Sequence, residues 1–304
     1  QGPDACAFLN RLCTAEMDIA PGRIAYTQIL NARGGIESDL TVQRHGADDY
    51  LLVVGAGDVV RDLKRMREIR GGFRVELTDV TSGYAILGLA GARARAVLQA
   101  TTPSPVPDLA RFGFAPVEIG LAQGWAGRLS YTGEEGFELY IPADMAMAAH
   151  EALVDAGARH AGLYASGSLR IERGCSAFGT ELTPGTTPFE AGLGRFCAMD
   201  TDFVGKEALQ RADAPTRAVA TLLFETPDAI PLHDEPIYFG GAVVGQITSA
   251  AWSYRFGRSV ALAMLTAPLD LLARETVVPG FEVEIACDRF AASAALAPAR
   301  VAFA

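Results

Sequence analysis

The sequence is poor in the residues that build metal sites, disulfide frameworks and hydrolytic centres. Its five cysteines are widely spaced without a C-x-x-C pair, and its four histidines show no H-E-x-x-H spacing. An odd number of scattered cysteines indicates neither a disulfide framework nor a zinc site. A G-x-S-x-G nucleophile elbow is also missing. We therefore expect no metal, a reducing compartment, and chemistry carried by carboxylates and binding energy.

Long uncharged apolar runs and clustered basic charge are missing as well. Arg93 and Arg95 interrupt one apolar stretch, and Asp270 and Arg274 interrupt another, so none reaches the roughly 18 residues of a spanning helix. The formal net charge is −10, and only Lys64 and Lys206 are lysines. A chain this acidic is a poor candidate for a nucleic-acid partner. We expect a cytoplasmic bacterial protein that binds neither membrane nor nucleic acid.

What the sequence does contain is enough apolar material for two packed units, since 50% of its residues are hydrophobic. Periodicity predicts helices at about 3–17, 57–69 and 166–173, and strands at 23–30, 36–44, 50–54, 73–78 and 84–89. A charged, proline-containing segment at 211–217 predicts a domain boundary. Beyond it, short strands at 218–224, 242–249, 259–265 and 281–287 indicate a small antiparallel barrel. We expect an α+β fold of mixed sheets with helices, divided into domains 1–213 and 214–304.

The stretch from Ser130 to Tyr140 predicts two short strands joined by an acidic, glycine-bearing turn. After the turn, Phe137, Leu139 and Ile141 alternate with polar residues, which is typical of a half-buried strand. Glu138 therefore faces away from the core. A carboxylate on a rigid strand beside a tyrosine can accept hydrogen bonds from a planar ring that bears N–H groups. From these residues alone, a solvated hairpin is the alternative.

The segment Tyr131-Thr132-Gly133-Glu134-Glu135-Gly136-Phe137-Glu138 resembles the Y-T/V-G-E-x-G-x-E signature of the folate-binding aminomethyltransferase family. That family includes the glycine cleavage T-protein and the C-terminal folate domains of dimethylglycine and sarcosine dehydrogenases. Further blocks resemble it in the same order, at 34–40 (GGIESDL), 168–172 (SLRIE), 187–194 with 203–209, and 247–249 with 257–259. The resemblance implies the T-protein fold with its C-terminal barrel.

The resemblance also implies a site. Asp39 matches the family aspartate near the reactive folate nitrogens, where a carboxylate could take a proton or stabilise a cationic intermediate. Glu138 and Tyr131 match pterin contacts, and Arg170 matches the arginine that bonds the oxygen side of the pterin. A role for Tyr254 and Arg258 at the entrance for the folate tail is less closely matched. The sequence alone leaves open a turn hydrogen bond for Asp39. The alternative for Arg170 is an ion pair with Glu172 or Glu190, and we expect residues 39, 131, 138 and 170 to share one cavity.

The implied activity is tetrahydrofolate-dependent one-carbon transfer, most like the folate module of a dimethylglycine or sarcosine dehydrogenase that forms 5,10-methylenetetrahydrofolate. Partners would be an N-methyl amine or related donor and an upstream flavin domain, so FAD is expected only outside these residues. The chain begins without a Met or a signal region, which suggests a longer polypeptide. Alternatives are a free-standing T-protein served by a lipoyl carrier, a folate-dependent demethylase, or a non-catalytic iron–sulfur maintenance protein.

Two departures bear on these alternatives. Gly55 stands where free-standing T-proteins usually have asparagine, and Gly167 replaces an aspartate often found before S-L-R. The segments 26–31 and 53–55 look more like the dehydrogenase-fused branch. The maintenance proteins carry a cysteine motif where this chain has Asp202-Phe203-Val204-Gly205-Lys206-Glu207. The missing cysteine and the retained Asp39 speak against that alternative.

Overall fold

The structure, a computed structural model, describes residues 1–303. Contacts between Cα atoms divide the chain into two compact units. The first unit comprises Gln1–Thr27, Leu40–Ala161 and Asp200–Phe203, and the second comprises Gln28–Asp39, Gly162–Met199 and the residues from Val204 onward. The units interleave along the sequence. The predicted division into domains 1–213 and 214–304 therefore stays a prediction.

The helices and strands follow one another in this order: α1 (Ala5–Leu12), β1 (Arg23–Leu30), β2 (Ile36–Arg44), β3 (Tyr50–Val53), α2 (Val59–Arg70), β4 (Tyr84–Ala90), α3 (Ala94–Ala100), β5 (Phe114–Ile119), β6 (Ala122–Gly127), β7 (Gly136–Pro142), α4 (Ala146–Asp155), α5 (Leu163–Arg173), α6 (Lys206–Arg211), β8 (Ala218–Phe224), β9 (Pro236–Phe239), β10 (Ala242–Ser253), β11 (Arg258–Leu265), α7 (Leu269–Arg274), β12 (Val278–Ile285), β13 (Asp288–Ala295) and α8 (Ala299–Ala302). Within residues 1–303, no helix is both long and apolar enough to cross a membrane.

The first unit is built around a four-stranded sheet in the order β4-β7-β6-β5. Phe137, Leu139 and Ile141 of β7 are buried in one core together with Leu98 of α3 and Leu153 of α4. The apolar alternation along β7 thus selects the face that packs on helices, as its period of two requires. Glu138 lies on the other face of the sheet.

The strand predicted at 73–78 is wrong, because that segment forms no regular strand. Its backbone bonds to the first residues of the chain instead of to a sheet. The N–H of Glu76 donates to the carbonyl of Gln1 at 2.7 Å, and the N–H of Arg74 donates to the Asp4 carboxylate at 2.8 Å. These bonds satisfy the extended backbone without a ladder.

The second unit contains a closed antiparallel barrel in the order β10-β11-β8-β13-β12-β9, which confirms the predicted barrel. Its interior is filled by aliphatic and aromatic side chains, including Leu222, Phe224, Ile247 and Phe281. The prediction missed β9 and β13. Strand β13 reads DRFAASAA, and a segment so rich in alanine carries little strand propensity of its own.

Helix α5 packs on barrel strands β10 and β11 within the second unit. It begins at Leu163, three residues before the predicted start at Ser166, and ends at Arg173. Gly174 follows in the left-handed conformation with φ of 70°, which is the usual helix end that glycine permits. The N–H of Cys175 then donates to the carbonyl of Arg170 at 2.9 Å. The loop that leaves this helix is therefore held close to Arg170.

Candidate functional site

Glu138 lies on β7 with a tyrosine as its direct partner. The hydroxyl of Tyr140 donates a hydrogen bond to Oε2 of Glu138 at 2.6 Å. Both residues sit on one face of the strand because they are two positions apart. The carboxylate is thus held on a rigid strand beside a tyrosine, as the sequence predicted.

The neighbours of Glu138 across the sheet are both glycines. Glu138 pairs with Gly88 on β4 and with Gly127 on β6, and residues directly opposite each other share a face of the sheet. A Cβ added to Gly88 would meet nothing within 4 Å, although one added to Gly127 would meet Ile24 at 2.9 Å. Glycine inside a strand can mark a bulge, a tight bend or a place where a ligand or another backbone approaches closely. On its Gly88 side, the carboxylate therefore borders open space.

Tyr140 is fixed by aromatic packing. It is 1% exposed and stacks on Trp125 with ring centroids 5.2 Å apart and an interplanar angle of 1°. The indole N–H of Trp125 donates to Oε1 of the buried Gln43 at 2.8 Å. Burial and the neighbouring Glu138 charge raise the pKa of Tyr140. Tyr140 is therefore a neutral hydrogen-bond donor at any physiological pH.

Burial raises the pKa of the Glu138 carboxyl above its ordinary value, and the hydrogen bond from Tyr140 offsets only part of that rise. The reason is that burial penalises the charged form while a single donor gives it limited compensation. A ligand that brings further N–H donors would supply what the protein does not. Electrostatics and geometry thus agree that this carboxylate is prepared to accept hydrogen bonds.

The turn before β7 carries Tyr131, which is 45% exposed. The first strand of the predicted hairpin ends at Gly127, so Tyr131 lies outside the regular strands. Gly133 has a φ of 76°, a conformation that other residues adopt reluctantly. An exposed tyrosine on such a turn can cover one side of a ligand held at β7.

In the second unit, Arg170 on α5 forms an ion pair with a residue that the sequence reasoning did not single out. Its Nη1 lies 3.0 Å from Oε2 of Glu181, and its side chain is 11% exposed. Its Nη2 donates to Oγ of Ser249 at 2.7 Å. The predicted alternative partners, Glu172 and Glu190, are wrong.

Those two glutamates have other basic partners. Glu172 accepts hydrogen bonds from Arg300 at 3.0 Å and from Ser253 at 2.6 Å. Glu190 accepts from Arg217 at 2.7 Å. Arg170 is thereby left to a separate network. No local pattern marks Glu181, because its partners on β10 lie 67 and 68 positions away.

Asp39 lies on β2, partly buried, on the face opposite Ser38 and Leu40. This placement confirms the predicted alternation along the strand.

The turn before β2 needs both glycines of its motif. Gly34 has a φ of 83°, and a Cβ on Gly35 would lie 2.0 Å from the carbonyl oxygen of Pro184. The glycine pair thus sets where β2, and with it Asp39, begins.

The two predicted entrance residues differ in their surroundings. Tyr254 is 88% exposed. The guanidinium of Arg258 donates to backbone carbonyls of the barrel, the nearest being that of Glu225 at 3.2 Å. Arg258 is therefore at least partly occupied by the fold. Asp39, Arg170, Tyr254 and Arg258 belong to the second unit and Tyr131 and Glu138 to the first, and the shared cavity stays a prediction.

A large cavity of about 600 Å³ lies in the first unit. Trp125 and Tyr140 line it, but Glu138 and Tyr131 do not. We therefore assign the carboxylate site to the Glu138 face of the sheet and not to this cavity. Among residues 1–303, no group of three histidine, cysteine or acidic side chains is placed to hold a metal ion.

Comparison with known proteins defines the class of this fold. The structure superposes on the glycine cleavage system aminomethyltransferase T of Bartonella henselae with a TM-score of 0.84 and 28% sequence identity, covering 97% of this chain and 81% of that one. A family model of the GCVT N-terminal domain matches residues 1–201, and one of the glycine cleavage T-protein C-terminal barrel domain matches residues 217–299. The chain belongs to the glycine cleavage T-protein family.

Curated relatives fall into two groups of different length. The chain is 34% identical to an aminomethyltransferase of Moorella thermoacetica, covering 94% of this chain and 78% of that protein. It is 35% identical to a 4-methylaminobutanoate oxidase (formaldehyde-forming) of Paenarthrobacter nicotinovorans over 89% of this chain. It is 33% identical to mitochondrial dimethylglycine dehydrogenase of Rattus norvegicus over 91% of this chain. The chain spans only 34% of each of these two longer relatives.

Proposed function

We propose that this chain binds tetrahydrofolate and transfers a one-carbon unit to it, as the folate module of an N-methyl amine dehydrogenase or oxidase. The observation that carries the proposal is Glu138, whose half-buried carboxylate has Tyr140 as a donor and borders open space beside Gly88. A pteridine ring is flat and presents adjacent N–H donors, so it fits both the space and the acceptor. Family membership and the named relatives support the same activity.

Four further residues are assigned by the resemblance. Tyr131 would cover the ring, Arg170 would bond its oxygen side, and Tyr254 and Arg258 would meet the tail. Arg170 has a fixed guanidinium, which suits directional bonding to an oxygen. Arg258 is the less suitable of the two arginines, because barrel carbonyls already accept from it.

Tetrahydrofolate, when bound, supplies the nitrogen nucleophiles that accept the carbon unit. The chain's own part is to bind the ring, orient it and handle one proton. Asp39 would take that proton at the accepting nitrogen, a contribution of about 10²- to 10⁴-fold in rate. Glu138 and Arg170 would act through binding and orientation.

The direct test is titration of the whole chain with tetrahydrofolate by calorimetry. We expect saturable binding that Glu138→Gln weakens about 10- to 100-fold, because a charge-assisted acceptor is lost. Glu135→Gln is the matched control, since Glu135 lies in the turn that leads into β7 and its carboxylate only approaches Arg128 at 4.0 Å. The pterin assignment is wrong if binding is absent or if both variants bind like the wild type.

The catalytic assignment has its own test. We expect Asp39→Asn to reduce the rate of 5,10-methylenetetrahydrofolate formation at least 100-fold while the Kd for tetrahydrofolate changes little. Glu37→Gln, a change on the same face of β2, serves as the control. An unchanged rate in Asp39→Asn would make Asp39 a structural residue.

A second candidate is a T-protein that accepts an aminomethyl group from a lipoyl carrier. It is favoured by the 78% coverage of the Moorella thermoacetica aminomethyltransferase, whereas segments 26–31 and 53–55 look more like the dehydrogenase-fused branch. Supplying the chain with either an aminomethylated lipoyl carrier or an iminium donor from an oxidised N-methyl amine separates the two. A flavin domain as partner and a cytoplasmic location belong to the first proposal. The named relatives are enzymes, and a non-catalytic maintenance role finds no support among them.

A further inference from the structure

Both carboxylate oxygens of Glu181, in the second unit, accept several hydrogen bonds. Its side chain is 0% exposed. Oε1 accepts hydrogen bonds from the hydroxyls of Thr248 at 2.7 Å and Ser249 at 2.6 Å. Oε2 accepts from the N–H of Ala177 at 2.9 Å and from the hydroxyl of Thr180 at 2.8 Å. The Arg170 guanidinium completes this set.

The guanidinium of Arg170 takes part in the same hydrogen-bond network. Nη1 of Arg170 donates to Glu181 at 3.0 Å and to the carbonyl of Cys175 at 3.1 Å. Nη2 donates to Oγ of Ser249, and the Ser249 hydroxyl in turn donates a hydrogen bond to Glu181. The guanidinium is therefore held at both terminal nitrogens. Such a fork cannot rotate without breaking several bonds at once.

The ion pair between Arg170 and Glu181 by itself is expected to add little to the free energy of unfolding. A buried pair loses most of its attraction to the cost of desolvating two charges, and apolar replacements are often as stable. What the pair does supply is a fixed orientation. Arg170 is 11% exposed and Glu181 is 0% exposed, so only the arginine keeps a surface that a ligand could reach.

We propose that Glu181 is the positioning residue of Arg170: it holds the guanidinium in the orientation in which its outward side bonds the oxygen of the pteridine ring. This inference rests on the proposed function, because it requires tetrahydrofolate to meet Arg170. Ser249 extends the same role, since it links the second terminal nitrogen to the carboxylate.

A double-mutant cycle on the whole chain tests the inference. The Kd for tetrahydrofolate is measured by calorimetry for the wild type, Glu181→Gln, Arg170→Gln and the double variant, and thermal unfolding is recorded for each. We expect Arg170→Gln to weaken binding about 100-fold and Glu181→Gln about 10-fold. The double variant should bind no more weakly than Arg170→Gln, because Glu181 acts only through the arginine.

Glu190→Gln is the matched control. Glu190 is a partly buried glutamate of the second unit that likewise pairs with an arginine, Arg217, at 2.7 Å and accepts from the N–H of Thr187 at 2.7 Å. This variant should bind tetrahydrofolate within about 2-fold of the wild type, since the carboxylate of Glu190 bonds to Thr187 and Arg217 and not to Arg170. If Glu181→Gln does not fold, Ser249→Ala replaces it in the same cycle, with an expected effect of about 3- to 10-fold.

Three results would overturn the inference. One is a folded Glu181→Gln, or Ser249→Ala in its place, that binds tetrahydrofolate like the wild type. Another is a double variant whose loss is the product of both single losses, which would show a role independent of Arg170. The third is an Arg170→Gln variant with unchanged affinity. Failure of the proposed function looks different, because the wild type itself would then show no saturable binding.

Discussion

Two glutamates, the half-buried Glu138 in the first unit and the fully buried Glu181 in the second, have opposite electrostatic situations. Glu138 has Tyr140 as its donor, and burial raises the pKa of its carboxyl. Glu181 is also penalised by burial, but hydrogen bonds from Ser249 and Thr248 and the charge of Arg170 more than compensate, so its pKa is lowered. The difference teaches that burial alone does not decide the state of a carboxylate. The hydrogen-bond donors and charges around the carboxylate also decide it.

The same difference assigns roles. A carboxylate with donors on every side has no capacity left for a ligand and is suited to hold a neighbour in place. A carboxylate with one donor beside open space is suited to receive one. Glu181 belongs to the first kind and Glu138 to the second.

The largest expected effect is on stability. Glu181→Ala should lower the free energy of unfolding by about 3–5 kcal/mol, because it leaves the Arg170 charge buried without its counterion. Glu138→Ala should lower it by less than about 1 kcal/mol, since relief from desolvation offsets the lost bond to Tyr140. Urea unfolding near neutral pH measures both. Equal losses of unfolding free energy in the two variants would contradict the difference between Glu181 and Glu138.

The next effect concerns the open space beside Glu138. Gly88→Leu should weaken tetrahydrofolate binding at least 10-fold without loss of stability, because it fills the space on the ligand face, and strands tolerate leucine better than glycine. Gly72→Leu is the control, since a Cβ at Gly72 also meets nothing within 4 Å but lies outside the sheet. Unchanged affinity in Gly88→Leu would place the ligand elsewhere.

The smallest effect is the pH dependence, and its sign differs between the two sites. The folded-state pKa of Glu138 is raised, so the wild type should gain stability relative to Glu138→Gln as the pH falls from neutral through that raised pKa. The folded-state pKa of Glu181 is lowered. Its contribution relative to Glu181→Gln is present above the ordinary glutamate pKa and is lost as the pH falls through the lowered value.

Each shift corresponds to about 1.4 kcal/mol per pH unit between the folded and unfolded pKa values. Urea unfolding of the wild type and both variants from about pH 3.5 to 7 measures these profiles. Profiles of the same sign would mean that the two carboxylates do not differ as described.

Much of the fold was predictable because its signals are local. The alternation along β2 and β7 selects their buried faces by the period of two alone. The barrel was predictable from recurring short strands with glycine and proline breaks. The segment at 73–78 has the sequence pattern of a strand but forms none. Its backbone N–H groups bond to Gln1 and Asp4 and not to a neighbouring strand.

The candidate site was only half predictable for the same reason. Glu138 and Asp39 stand in recognisable motifs on strands of clear period. The partner of Arg170 was mistaken, since Glu172 and Glu190 lie near it in sequence or motif while Glu181 and Ser249 carry no local signal. Ser249 lies 79 positions from Arg170.

The sequence by itself determined which face of each strand is apolar, where the turn glycines fall and which family the chain resembles, because these follow from residue type and spacing. Only the tertiary structure decided that Gly88 and Gly127 flank Glu138 and that Glu181 is the ion-pair partner of Arg170. Strand register and hydrogen bonds between distant segments are fixed by packing of the whole unit. A periodic pattern of side chains cannot specify them.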